Sequence, residues 1–203
     1  MNARLLYWKV ETALAHWNLI QDTPEARSEA IKEGAMFFTW ASLSAPYSEG
    51  NGHPEPHRWG DLPLDFDSED KDNIQQALDD LRALCFVHLP EFYGIDPYDI
   101  KYFLSGNKGF HAIIPAKLLN AQEGDPHLPL IFKDIVGRWK EALHLNTLDM
   151  SLYCMKKGKM LRIPNVKRSN GKYKVAISLD EIIRAEAEDL IEFGNAPRNL
   201  ESY

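Results

Sequence analysis

The sequence predicts a soluble α+β domain, and three observations lead there. Some stretches alternate apolar and polar residues with the period of two of a strand, while others repeat apolar residues every three or four positions as a helix does. The two kinds are interspersed along 203 residues, enough for one domain with a full core. Hydrophobic residues at 44% and charged residues at 26% match a globular chain in water.

Residues 3–20 read as an amphipathic helix with Leu6, Val10, Ala13, Leu14 and Trp17 on one side. Thr23 followed by Pro24 reads as an N-cap with proline at the first helical position. A second helix is expected from there to about Ser42, with Ile31, Met36, Phe37 and Trp40 in the core. Residues 44–57, rich in Pro, Gly, Ser and His, form a loop closing this N-terminal helical section, residues 1–57, which belongs to the same domain. His53 and His57 have no third ligand nearby and do not make a zinc site.

Leu64-Asp65-Phe66-Asp67 reads as a strand that buries Leu64 and Phe66 and sets both carboxylates on the other face. Ser68 caps the helix that follows, with Glu69, Asp70 and Asp72 at its positive end and Leu78, Leu81, Leu84 and Cys85 as its stripe. Residues 99–104 and 110–114 are strands joined by the glycine-bounded turn 105–109. A helix spans 126–145 with Ile131, Ile135, Trp139 and Leu143 inward. Residues 160–164 and 172–177 are strands, 179–193 a closing helix and 194–203 a tail; the stretch 58–193 is the core of the domain.

Asp65 and Asp67 repel each other unless a cation lies between them, and paired carboxylates suit Mg²⁺ or Mn²⁺ better than zinc. A calcium loop counted from Asp65 would need Gly at its sixth place and Glu at its twelfth, where Asp70 and Gln76 stand. The 105–109 turn is not a P-loop, yet Ser105, Lys108 and His111 are phosphate-binding groups around exposed backbone N–H donors. The net charge of −7 argues against a general DNA-coating protein. Its distribution is uneven: acids crowd residues 61–80, while none stands between Asp149 and Asp180 beside Lys156, Lys157, Lys159, Arg162, Lys167, Arg168, Lys172 and Lys174. An acidic and a basic segment brought together suit a metal-bound polyphosphate. Cys85 and Cys154 are expected as thiols. No apolar run approaches a membrane span and Lys9 and Glu11 interrupt any leader-like core, so a cytoplasmic protein without membrane partners is expected.

Three stretches in order resemble the archaeo-eukaryotic primase superfamily. Leu64-Asp65-Phe66-Asp67 is similar to its first motif, and residues 105–111, a Ser-Gly start with a closing His, to its second. Leu148-Asp149, followed by Leu161-Arg162-Ile163-Pro164-Asn165 and Gly171-Lys172-Tyr173-Lys174-Val175, resembles its third. The likeness runs from about residue 58 to 178. It implies a primase core with one RNA-recognition-motif-like module and the active site in a cleft between two β-containing modules; the N-terminal helices expected here lie outside the resemblance. It implies template-directed nucleotidyl transfer, as DNA primase or primase-polymerase, with nucleoside triphosphates on single-stranded DNA and two divalent ions, Mg²⁺ or Mn²⁺. By the same resemblance Asp65, Asp67 and Asp149 are the catalytic metal ligands, and Ser105, Lys108, His111 and Arg162 contact the triphosphate. The chain departs from the family at Asn107, often basic in relatives, at the Ser-Asn-Gly of its hairpin, and at Lys167 or Arg168, which stand near a usual His and take over its nucleotide contact. The compact size without a zinc-binding insertion points to a mobile element, with a helicase or accessory priming domain as a partner. Lys156, Lys157, Lys159, Lys172 and Lys174 are candidates for template or primer phosphates. Two alternatives use the same residues: a two-metal nuclease or phosphoesterase, and a catalytically silent nucleic-acid-binding replication-initiation module.

Overall fold

The computed structural model describes residues 4–10, 16–49, 53–68, 74–106 and 108–200. The N-terminal section runs β1 (Leu5–Lys9), β2 (Asn18–Gln21), α1 (Pro24–Lys32), β3 (Phe37–Thr39), β4 (Ser42–Leu43) and β5 (Arg58–Trp59). It is followed by β6 (Leu62–Asp67), α2 (Gln75–Arg82), α3 (Leu89–Tyr93), β7 (Lys101–Leu104), β8 (Gly109–Ile114), α4 (Leu128–Leu143), β9 (Met160–Arg162), β10 (Val175–Ile177), α5 (Leu179–Arg184) and α6 (Ala187–Ile191). The result is an α+β fold of two antiparallel sheets. One is ordered β5-β4-β1-β3-β9 with β2 paired to β1; the other is β10-β7-β8-β6.

In the four-stranded sheet β6-α2-β7 and β8-α4-β10 are interleaved split β-α-β units, each pair of like-directed strands separated by a strand of the other unit. The connection from α4 to β10 first passes through β9, which pairs with β3 in the other sheet. That detour ties the two sheets together. Alternation sets the faces of β6 from Leu64 onward: Leu62, Leu64 and Phe66 are fully buried, with Pro63 buried between the first two, while Asp65 and Asp67 are only partly so. Ile114, Ala112 and Phe110, the cross-strand partners of Leu62, Leu64 and Phe66, share their buried face. It packs on α2 and on the Leu128, Phe132, Val136 and Trp139 side of α4. Each such side chain is worth about 1.5–3 kcal/mol when buried, so the strand holding Asp65 and Asp67 is anchored from behind. A second, smaller core joins Leu6, Trp8, Ala30, Ala35, Phe38 and Ile163.

The N-terminal helices expected at 3–20 and 24–42 are corrected. Residues 5–9 and 18–21 form an antiparallel hairpin pair, with residues 11–15 of the expected helix outside the described residues. The second helix stops at Lys32, after which Gly34 takes φ +99°. Phe37-Phe38-Thr39 then favours a strand, as aromatic and β-branched residues do. Ile31 is exposed as a consequence, and Phe37 and Trp40 are half-buried. Glu69, Asp70 and Asp72 lie outside the described residues; Ser68 is buried at the end of β6, and α2 starts only at Gln75 with Ile74 as its N-cap, so the expected Ser68 cap of this helix is corrected, while Leu78, Leu81, Leu84 and Cys85 are buried as predicted. In α4 the inward side is Leu128, Phe132, Val136 and Trp139, leaving Ile131 exposed. The closing helix is two short ones, α6 opening on a Glu186/Asp189 capping box. Cys85 and Cys154 are free thiols. No helix among the described residues is long and apolar enough to cross a membrane.

Candidate active site

The outer face of the four-stranded sheet carries the acids. Register places Asp65 opposite His111, and His111 opposite Phe103. Asp67 lies opposite Gly109, where a Cβ would come within 2.0 Å of the Phe66 carbonyl oxygen. Only glycine lets the turn close this tightly on β6. His111 Nε2 is 3.2 Å from Asp65 Oδ1, and Lys108 Nζ is 3.1 Å from Asp67 Oδ2. His111 is 7% exposed and its Nδ1 has no hydrogen-bond partner among the described residues.

Carboxylates two residues apart on one strand face are about 7 Å apart, a repulsion of ~2 kcal/mol at an effective dielectric of 20. Titration follows from this. Burial raises the Asp67 carboxyl and the Asp65 charge adds to it, with Lys108 opposing, so that it ends above the usual carboxylate value. Burial pushes Asp65 up too, but His111, by charge and hydrogen bond, with Lys174 and Lys108, brings it below that value. Burial and the Lys174 charge hold the His111 imidazole below its ordinary value against the pull of Asp65 and Asp67.

Asp149 reaches this strand through its backbone. Its N–H donates to the Asp65 carbonyl at 2.8 Å, and the Asp67 N–H donates to the Thr147 carbonyl at 2.8 Å, so residues 147–149 run alongside β6. The Asp149 carboxylate accepts from the Ser151 N–H and hydroxyl, at 2.8 and 2.7 Å. Burial, Asp65 and Asp149 together raise the Tyr153 phenol, whose hydroxyl donates to the Pro63 carbonyl. Among the described residues no three His, Cys, Asp or Glu side chains stand together as a ready metal cluster. Asp65 and Asp67 fit a hard divalent cation by donor type and by their mutual repulsion; the Asp149 carboxylate, held by Ser151, is not among the side chains that line their cleft.

Opposite the acids stands β9 of the other sheet. Arg162 is the cross-strand neighbour of Phe37 and stacks on it, its Cζ 4.3 Å from the ring centre. Arg168 donates from Nη1 to the Ser105 carbonyl at 3.0 Å, joining the 167–173 hairpin to the 105–109 turn. Asp65, Asp67, Ser105, His111, Arg162 and Arg168 line one cleft of about 210 Å³ with Phe37, Met160 and Leu161.

The remaining basic candidates scatter. Lys167 is exposed and outside the cleft lining, and Lys172 bonds to Asn195. Lys174 is 3% exposed, with Nζ 4.7 Å from the ring centre of Phe103, the cross-strand partner of His111, so it is buried beside the site and not on a template surface. Lys156, Lys157 and Lys159 line a neighbouring groove. No protein-family model matches the chain, and no curated protein matches it. Sequence reasoning missed Phe37, assigned to a helical core; the Phe-Phe-Thr triplet, with Phe38 inward and Phe37 outward, was the available signal.

Proposed function

We propose that this chain is the catalytic domain of a nucleotidyl transferase, a DNA primase or primase-polymerase that joins nucleotides on a single-stranded DNA template. One observation carries the reading: paired acids and phosphate-gripping groups from three remote segments of the chain line a single cleft. Asp65 and Asp67 would hold Mg²⁺ or Mn²⁺, with Asp149 as the third carboxylate. Divalent ions supply activation of an attacking 3′-oxygen and charge neutralisation on the leaving pyrophosphate. Lys108 and His111, now balancing the two acids, would turn their donors to phosphate oxygens once those acids have another counter-charge. Arg162 is oriented by Phe37 and presents a planar fork of donors, the geometry that suits phosphate. Arg168 and Ser105 close the opposite wall.

A nuclease with the same acids would not need this grip, and a silent binding module would need neither. The test is incubation with a single-stranded template, labelled nucleoside triphosphates and Mn²⁺. New oligomers longer than two nucleotides are expected. Shortening of the template would make the protein a nuclease; binding with neither change would make it a binding module.

A further inference from the structure

Beside the acidic cleft, and sharing Phe37 and Met160 with it, lies a second groove of about 510 Å³. Lys9, Lys156, Lys157 and Lys159 line it against a single acid, Glu49, among the described residues. Trp17 forms part of its wall. Tyr7 meets Trp17 edge-on, ring centres 5.9 Å apart at 82°. Lys157 Nζ stands 5.7 Å from the Trp17 ring centre and 5.8 Å from that of Tyr7. Trp17 is only half-buried, so this large ring keeps surface in the groove.

We infer that this groove binds a single-stranded nucleic-acid segment, one base stacking on Trp17 and the flanking phosphates meeting Lys156, Lys157 and Lys159. Charge selects the occupant. Four lysines against one carboxylate favour a polyanion, and an aromatic wall among them favours one that carries flat rings. Duplex DNA keeps its base faces inside the stack and cannot use Trp17, whereas every base of a single strand can stack regardless of sequence. Continuity through Phe37 and Met160 leads the strand from the groove to the cleft. The inference deepens the proposed function, on which only the strand's role as template rests.

The test is binding of a fluorescent oligo-dT to the whole chain, without triphosphate or divalent ion, so that a failure of synthesis leaves it readable. Trp17→Leu should weaken binding about tenfold or more and Trp17→Phe much less, because a stacked base contributes a factor of that order. Lys156, Lys157 and Lys159 changed together to Gln should flatten the salt dependence by about two units of log slope, from three phosphates on a single strand. Melting temperatures establish that each variant is folded; if Trp17→Leu is not, the Trp17→Phe and lysine variants decide. Wild-type affinity in a folded Trp17→Leu, an unchanged salt slope, or equal affinity for duplex would overturn the inference. Binding by wild type that is lost in the Trp17 and lysine variants, in a protein that makes no oligomers, would overturn the proposed function alone; no oligonucleotide binding by wild type would overturn the inference.

Discussion

Asp67 sits above the ordinary carboxylate value because burial and Asp65 oppose its charge. Asp67→Asn should therefore abolish synthesis while leaving the melting temperature of the metal-free protein unchanged or slightly higher; retained polymerisation with both Mg²⁺ and Mn²⁺ would remove Asp67 from the metal site. His111→Ala deletes a ring whose Nδ1 has no partner among the described residues and whose Nε2 holds Asp65. Losing a charge-assisted hydrogen bond to phosphate costs about 1.5–3 kcal/mol, so nucleotide kcat/KM should fall roughly ten- to a hundred-fold while oligonucleotide affinity survives. Melting temperature, oligonucleotide Kd and nucleotide KM from one preparation check this; a proportionate fall in all three would mark a core histidine. Lys174 gives the pH dependence. Burial, with Arg162 adding to it and Asp65 opposing, lowers its ammonium from 10.5 to about 8. Between those values the unfolded chain binds more protons, so stability climbs with pH from about 8 to 10.5 and stays at its lower level below 8. At about 1.4 kcal/mol per pH unit the full rise is ~3 kcal/mol. Lys174→Met should be more stable than wild type at pH 7 and lack the rise. Urea denaturation at pH 7, 8, 9 and 10 measures both; parallel curves for the two proteins would contradict it.

At the scale of elements, residues 147–149 are latched to β6 from the side of α2. Asp80, 6% exposed, accepts from the Thr147 N–H at 2.9 Å and from its hydroxyl at 2.8 Å, while the Thr147 carbonyl accepts from Asp67. Asp80→Ala strands two buried donors and should cost about 2–5 kcal/mol, read by denaturation; synthesis should fall further than oligonucleotide binding, because the Asp149 segment loses its support. A fall confined to stability would leave the latch without a part in the site. The same elements explain what the sequence could and could not tell. β6 was legible because Leu64-Asp65-Phe66-Asp67 alternates apolar and acidic residues, and α2 because its stripe has one phase. The stripe of α4 was legible in part: Trp139 is buried and Ile135 and Leu143 pack on the core as expected, but Leu128, Phe132 and Val136 offer a second four-residue phase, which is the buried one, and Ile131 is left exposed. The N-terminal sheet was hidden for another reason: its strands have two to five residues, too few to fix a period, and β3 takes its partner from residues 160–162. Pairings at such separation depend on the whole fold. The Asp65/His111 contact was invisible likewise, as it needs the register between β6 and β8, although both residues had been singled out.

At the scale of the molecule, two sheets face each other across the site, one bringing the acids and His111, the other Arg162 on its Phe37 support. On the proposed function neither sheet alone would grip a metal-bound triphosphate, and the detour of the chain through β9 is what couples them. Asp65, Asp67, Ser105, His111, Arg162 and Arg168 converge although Asp65 and Arg168 lie 103 positions apart, while Asp149 is not in the cleft lining, Lys167 is exposed outside it, Lys172 is bonded to Asn195 and Lys174 is buried beside it. The decisive quantity is the coupling between cation and triphosphate across that seam. It is measured by titrating a non-hydrolysable nucleoside triphosphate into wild type and Asp67→Asn by calorimetry, with and without Mn²⁺. Binding to wild type should tighten at least tenfold with Mn²⁺, and the gain should vanish in Asp67→Asn. Equal affinity with and without Mn²⁺, or the same gain in both proteins, would contradict a metal-triphosphate site at Asp65 and Asp67.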